Sequence, residues 1–167
     1  RSELISRLRS SALARILRVC KLTDLALQET LMLFLEPETL PQTNPTVSML
    51  ALTPKVLLKR ARRLRNLIVR LRLPVECEIK TDKAAVGGGS LPTAELPTYV
   101  VALRSGRISA AELSRRLRFN EPPVIARVQD DEVRLDVRTL LAGDEEIVAR
   151  AVRAAICEES DCASRGS

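Results

Sequence analysis

Histidine and tryptophan are absent from the 167 residues, and Phe34, Tyr99 and Phe119 are the only aromatic side chains. Without histidine the usual base that activates a serine or cysteine nucleophile is missing, and no Ser or Cys stands in a G-x-S-x-G elbow. Three scattered rings do not make the stacking platform on which single-strand nucleic-acid readers hold bases. Cysteine is sparse and irregularly placed (Cys20, Cys77, Cys157, Cys162), with no C-x2-C pair, so reduced structural thiols are expected and a metal site is not. No apolar run approaches the ~20 residues of a membrane span, and no charged segment followed by a short apolar one opens the chain. Neither membrane insertion nor secretion is supported, and a cytoplasmic location is expected. The chain begins at Arg1 inside an amphipathic pattern carried by Leu4, Ile5 and Leu8, as expected of a piece of a longer protein.

What is present is aliphatic and basic. Apolar residues make up 46%, enough for a core of Leu, Val, Ile and Ala, and the net charge of +6 permits a polyanionic partner through phosphate attraction. Thr23 and Asp24 predict the start of a helix carrying Leu25, Leu27, Leu31, Met32, Phe34 and Leu35, apolar on more than one side and expected to be buried, which Pro37 closes. Residues 37–50, with three prolines, read as an extended connector between two structural units. Thr53-Pro54 opens a second helix, with Leu57, Ala61, Leu64, Ile68 and Leu71 in one stripe. Between Lys55 and Arg72 its other faces carry eight positive side chains and no negative one. A solvated helix face is the favoured reading of that run, and an RNA-facing surface the functional one.

Val75, Cys77 and Ile79 alternate with Glu76, Glu78 and Lys80 as in a strand, and a second strand is expected over 99–103. Between them, Gly87, Gly88, Gly89 and Ser90 hold half the glycines of the chain; an ordinary loop between two strands is the favoured reading and a close backbone approach to another segment or a ligand the functional one. The lysine and downstream helix of a P-loop are missing. Ser109-Ala110-Ala111-Glu112 is a capping box, flanked by Ile108 and Leu113 as a hydrophobic staple, for a helix ending near Leu117. Strands over 123–128 and 133–137 are expected to pair antiparallel around Gln129-Asp130-Asp131-Glu132, with Val133, Leu135 and Val137 on one face and Arg134, Asp136 and Arg138 on the other. Asp144-Glu145-Glu146 starts a last helix with Ile147, Ala151, Val152, Ala155 and Ile156 buried, and residues after Glu158 are expected to be a disordered tail. The order of elements predicts an α/β architecture in which a small sheet is covered by helices.

Arginine is the chemistry that remains. Arg15 and Arg18 would share a helix face, while Arg127 and Arg138 lie on the expected hairpin, and guanidinium forks suit phosphate or carboxylate recognition. Surface arginines and structural ion pairs are the competing readings for each.

Five blocks, in order, resemble bacterial selenocysteine synthases, the L-seryl-tRNA(Sec) selenium transferases. They are Leu17-Arg18-Val19 with Lys21-Leu22-Thr23; residues 26–35; residues 45–53; residues 86–97; and Pro122-Pro123-Val124-Ile125-Ala126-Arg127 with Leu135-Asp136-Val137-Arg138-Thr139. Cys20 and Ala84-Ala85 depart from that family's usual pattern. The resemblance implies the C-terminal part of a fold-type-I, pyridoxal-phosphate (PLP) dependent transferase, with residues 1–45 ending the large PLP-binding domain together with the interdomain helix, 46–158 forming a small α/β domain and 159–167 a tail. It implies that serine, esterified to tRNA(Sec), loses its hydroxyl with PLP as electron sink and receives selenium from selenophosphate, in a cytoplasmic homo-oligomer. Arg15, then Arg18, with Arg127 and Arg138 behind them, are the expected ligands of selenophosphate or the tRNA 3′ end. The family's cofactor lysine lies in an Asp-Lys-x-x-Gly-Gly-Pro motif, and none of Lys21, Lys55, Lys59, Lys80 or Lys83 has that context, so this chain alone is expected to be inactive. A non-catalytic RNA-binding or assembly module, and a related PLP lyase, remain alternatives.

Overall fold

The computed structural model describes residues 2–86 and 91–157, and the chain divides into two compact units, 1–48 and 49–167. The first unit is helical: α1 (Ser2–Ser10), α2 (Ala12–Ile16), α3 (Lys21–Leu33) and α4 (Leu40–Thr43), while α5 (Pro45–Ala51) runs across the division. Helix α3 starts earlier than its sequence suggests. Cys20 is the N-cap, the Asp24 amide donates to the Cys20 carbonyl at 3.1 Å, and Thr23 already lies in the first turn with its hydroxyl 3.2 Å from the Cys20 sulfur. The expectation that α3 is buried is corrected: none of its residues is, and Leu25, Leu27, Leu31 and Met32 are each more than half exposed. Apolar composition states a need for cover without supplying it, and Leu40 is the only buried side chain among the described residues of this unit.

The extended connector is corrected too. Residues 40–51 form the two short helices α4 and α5, because the Asn44 side chain caps the Val47 amide at 3.1 Å and Pro45 occupies the first helical position, where its missing N–H costs nothing.

The second unit is a four-stranded antiparallel sheet in the order β1-β2-β4-β3, made of β1 (Val75–Val86), β2 (Leu91–Ser105), β3 (Arg127–Gln129) and β4 (Glu132–Asp136). Three helices cover one face: α6 (Pro54–Arg70), α7 (Ala110–Arg118) and α8 (Asp144–Ile156). The α6 stripe Leu57, Ala61, Leu64 and Ile68 is fully buried against Val101, Leu103, Val133 and Leu135, the odd positions of β2 and β4. On that packing, Leu64→Ala would cost about 2–5 kcal/mol. The Ser109 hydroxyl accepts from the Glu112 amide at 3.2 Å and caps α7.

Strands β1 and β2 are longer than the alternation predicts. They pair from Val75 with Ser105 to Val86 with Leu91, whereas β4 meets β2 only over Val100–Leu103. Gly87, Gly88, Gly89 and Ser90, which join the two, lie outside the described residues, as does the tail from 158 onward.

The hairpin of β3 and β4 forms as expected, with Asp130 and Asp131 both left-handed (φ 54° and 56°) as a type I′ turn requires. Its strands are shorter than expected. Residues 123–126 join no ladder, and after Asp136 a 3₁₀ turn, Val137–Thr139, replaces the strand because the Asp136 carboxylate accepts from the Arg138 amide at 3.0 Å. Strand alternation ends there, so Arg138 does not share the open face with Arg134; it is buried. The buried face of α8 carries Ala151, Val152, Ala155 and Ile156 as expected, and Val148 and Ala149 join them in place of Ile147, which is only half-buried.

Candidate functional site

The open face of the sheet carries the even positions of β1, β2 and β4, and its charges neutralise one another. The Glu132 carboxylate is buried and accepts from Lys80 Nζ at 2.6 Å and from Arg134 Nε at 2.9 Å. Burial alone would raise its pKa, but the two cations outweigh that and hold the carboxyl below its ordinary value. Burial likewise disfavours the Arg134 charge, and its bonds to Glu132, with Asp130 and Asp82 nearby, more than restore it. Thr98, buried beside them, donates to Asp136 Oδ1 at 2.7 Å. The long arms of Lys80 and Arg134 belong to the strands flanking Val100 and Ala102, both buried on this face. The sequence reading missed this network; the signal was the run of alternating charges in both strands.

Arg127 belongs to the same layer. Its guanidinium donates to Asp82 Oδ2 at 2.8 Å, and its side chain remains about half exposed. Arg138 is of another kind. One terminal nitrogen donates to the Met49 carbonyl at 2.8 Å and, more weakly, to Leu52 at 3.5 Å, while the other donates to Pro97 at 2.7 Å. Among the described residues its Nε is buried without a partner.

The other two candidates lie in the helical unit. Arg15 is on α2, with a side chain outside the described residues. Arg18, between α2 and α3, is exposed and has no hydrogen-bond or ion-pair partner among the described residues. Two residues on, the exposed Cys20 thiol is pulled below its ordinary pKa by its hydrogen bond to the Thr23 hydroxyl.

No group of three or more Cys, Asp or Glu side chains is placed to hold a metal ion among the described residues. The lysines are equally unsuited to a covalent cofactor. Lys21, Lys55 and Lys59 point to solvent, Lys80 is bound to Glu132 and Lys83 to Glu95. No described helix is long and apolar enough to cross a membrane.

A model of the L-seryl-tRNA selenium transferase family matches residues 1–141. The chain is 38% identical, over 92% of its length, to the L-seryl-tRNA(Sec) selenium transferase of Aquifex aeolicus, of which it covers 33%. It is 40% identical over 88% of its length to the protein of that name from Alkaliphilus oremlandii, covering 32% of it. For the Clostridium botulinum relative the figures are 35%, 86% and 31%. The chain therefore spans about a third of the length of these relatives. A family match over residues 1–141, together with relatives 35–40% identical over most of its length, makes this chain a member of the L-seryl-tRNA selenium transferase family.

Proposed function

We propose that this chain is the C-terminal region of a fold-type-I, PLP-dependent transferase that converts seryl-tRNA(Sec) to selenocysteinyl-tRNA(Sec). In that reaction the C–O bond of serine is replaced by C–Se, selenophosphate is the donor and phosphate is released. The observation that carries the reading is the family match over residues 1–141. Residues 1–45 would close the large domain and 46–158 form the small one. The exposed apolar side chains of α1, α2 and α3 support a larger assembly, since Leu4, Ile5, Leu8, Leu13, Ile16, Leu22 and Leu31 need cover from the rest of the enzyme or a second copy. A cytoplasmic homo-oligomer is the form proposed.

PLP would supply an electron sink there. The lysines of this chain do not fit a covalent site for it, so the residues that hold the cofactor are assigned to parts of the enzyme outside this chain, and the chain alone is proposed to be inactive.

Arg18 is the strongest candidate ligand of the selenophosphate dianion. Its guanidinium has its full set of donors available, and Arg15 stands three residues before it. Arg127 would have to give up Asp82 to take part, and Arg138 would have to release backbone carbonyls, so both rank lower.

The test is transfer of radioactive selenium from selenophosphate to seryl-tRNA(Sec) by the full-length enzyme. Arg18→Ala should raise the KM for selenophosphate at least tenfold and leave tRNA affinity unchanged. Release of the dehydrated amino acid without selenium incorporation would replace this reading with a lyase, and an unaltered KM would remove Arg18 from the site.

A further inference from the structure

Helix α6 distributes its cations in two ways. At 100° per residue, Lys55, Lys59, Arg62, Asn66 and Arg70 fall within a sector about 80° wide, almost diametrically opposite the buried stripe of Leu57, Ala61, Leu64 and Ile68. All five are exposed. On the flanks of that sector the arginines are tied to the body of the domain: Arg60 donates to the Leu140 carbonyl at 2.9 Å, Arg63 pairs with Glu146, and Arg65 reaches the Cys77 carbonyl at 3.4 Å. In the sector itself Lys55, Lys59, Arg62 and Arg70 have no hydrogen-bond or ion-pair partner among the described residues. No acidic residue occurs between Pro54 and Val75 to supply one.

This differs from the open face of the sheet, where Lys80, Arg104, Arg127 and Arg134 all have carboxylates within 4 Å. On that face the cations are neutralised, whereas the α6 row is left uncompensated, although like charges three and four residues apart on a helix repel. An external polyanion resolves that repulsion. The row extends about 22 Å along the helix, so it meets a continuous chain of charge rather than a single anion. A lipid surface fits less well, because the sector holds no large apolar side chain to insert apart from Val69 at its edge.

We infer that the outward face of α6, through Lys55, Lys59, Arg62 and Arg70, docks the phosphate backbone of the tRNA substrate. The choice of RNA rests on the function proposed above, whereas the row of unpaired cations does not. Backbone contacts of this kind set affinity and orientation without reading sequence, and they release counterions, so they are strongly salt-dependent.

The measurement is the Kd of the full-length enzyme for tRNA(Sec) across a series of salt concentrations. Lys55→Gln, Lys59→Gln, Arg62→Gln and Arg70→Gln are combined in one variant, and Lys59→Gln with Arg62→Gln in a second. Lys83→Gln with Arg104→Gln is the charge-matched control, on the β1–β2 hairpin and the far face of the sheet. Glutamine keeps helix propensity, and circular dichroism checks that the helices remain. The fourfold variant should weaken binding tenfold or more at 100 mM salt and flatten the log Kd against log salt plot by about three; the double variant should do half of this and the control little. The KM for seryl-tRNA should rise with kcat preserved at saturation.

Equal losses in the double variant and the control would reduce the effect to net charge and overturn the inference. So would unchanged tRNA affinity, or a flat salt dependence in the unmodified enzyme. Intact tRNA affinity with a changed solution mass would assign the face to a protein partner instead. If the unmodified enzyme transfers selenium and the α6 variants bind tRNA(Sec) as well as it does, this inference alone falls; an unmodified enzyme that binds no seryl-tRNA(Sec) at all sinks the proposed function with it.

Discussion

Arg138 Nη2 donates to the carbonyl of Pro97 at 2.7 Å, and through its other terminal nitrogen the same guanidinium holds Met49 at 2.8 Å. One buried side chain thus ties the end of α5 to the middle of β2, with the 3₁₀ turn after β4 as its base. Arg138→Ala leaves those carbonyls short of a donor in a buried place and should cost about 2–4 kcal/mol. Arg138→Lys cannot span both and should recover only part of it. Urea unfolding of the protein measures the difference. A variant of undiminished stability that fails to turn over substrate would instead make Arg138 a ligand.

The Glu132 network predicts an acid limb. Its folded pKa lies below the unfolded value, so the stability it contributes is fully present above about pH 4.5 and is lost as pH falls through the folded pKa. Glu132→Gln should flatten stability against pH in that window, read as unfolding midpoint from pH 6 to pH 3. Glu112 has its carboxyl held at about 2 by Arg115 and Arg116, yet these bonds are open to solvent, and Glu112→Gln should alter the limb much less.

Two thiols should separate by reactivity. Cys20 is exposed with a lowered pKa, whereas burial pushes Cys77 up to about 11 against a smaller opposing effect of Arg65. Brief iodoacetamide treatment at pH 7.5, followed by peptide mass spectrometry, should label Cys20 several-fold faster. Thr23→Ala removes the hydroxyl beside Cys20 and should narrow that gap.

Ser109→Ala removes the side-chain acceptor of the Glu112 amide and should destabilise the second unit by about 1 kcal/mol, with Ser109→Asp restoring most of it. Thermal unfolding of the two variants checks the cap.

Local signals in the sequence were the ones that transferred to the structure. The stripe of α6, the cap at Ser109 and the Asp130-Asp131 turn each depend on neighbours within a few residues, and each stands where its residues predict it. The misreadings came where a distant partner or a competing cap decides. Pro41 and Pro45 suggested extension, but both sit at helix starts, Pro45 behind the Asn44 cap. Alternation puts Arg138 on the strand's polar face and gives no sign that Asp136 will end the strand by bonding forward. Among the site candidates, the pairing of Arg127 with Asp82 joins residues 45 apart, and no periodicity in either strand reveals it.

The unequal lengths of the strand pairings have a dynamic consequence. Beyond the Lys80–Val100 pair, β1 and β2 continue to Val86 and Leu91 with no third strand beside them among the described residues, a ribbon about 20 Å long. A two-stranded ribbon is marginal by itself in water. Amide hydrogen exchange along it should therefore form a gradient, slowest at Val101, where β4 is laid alongside, and faster with each pair toward the glycines. The paired residues can separate in steps while the root of the ribbon stays shut, with the fulcrum at Val100, opposite Asp136 at the end of β4.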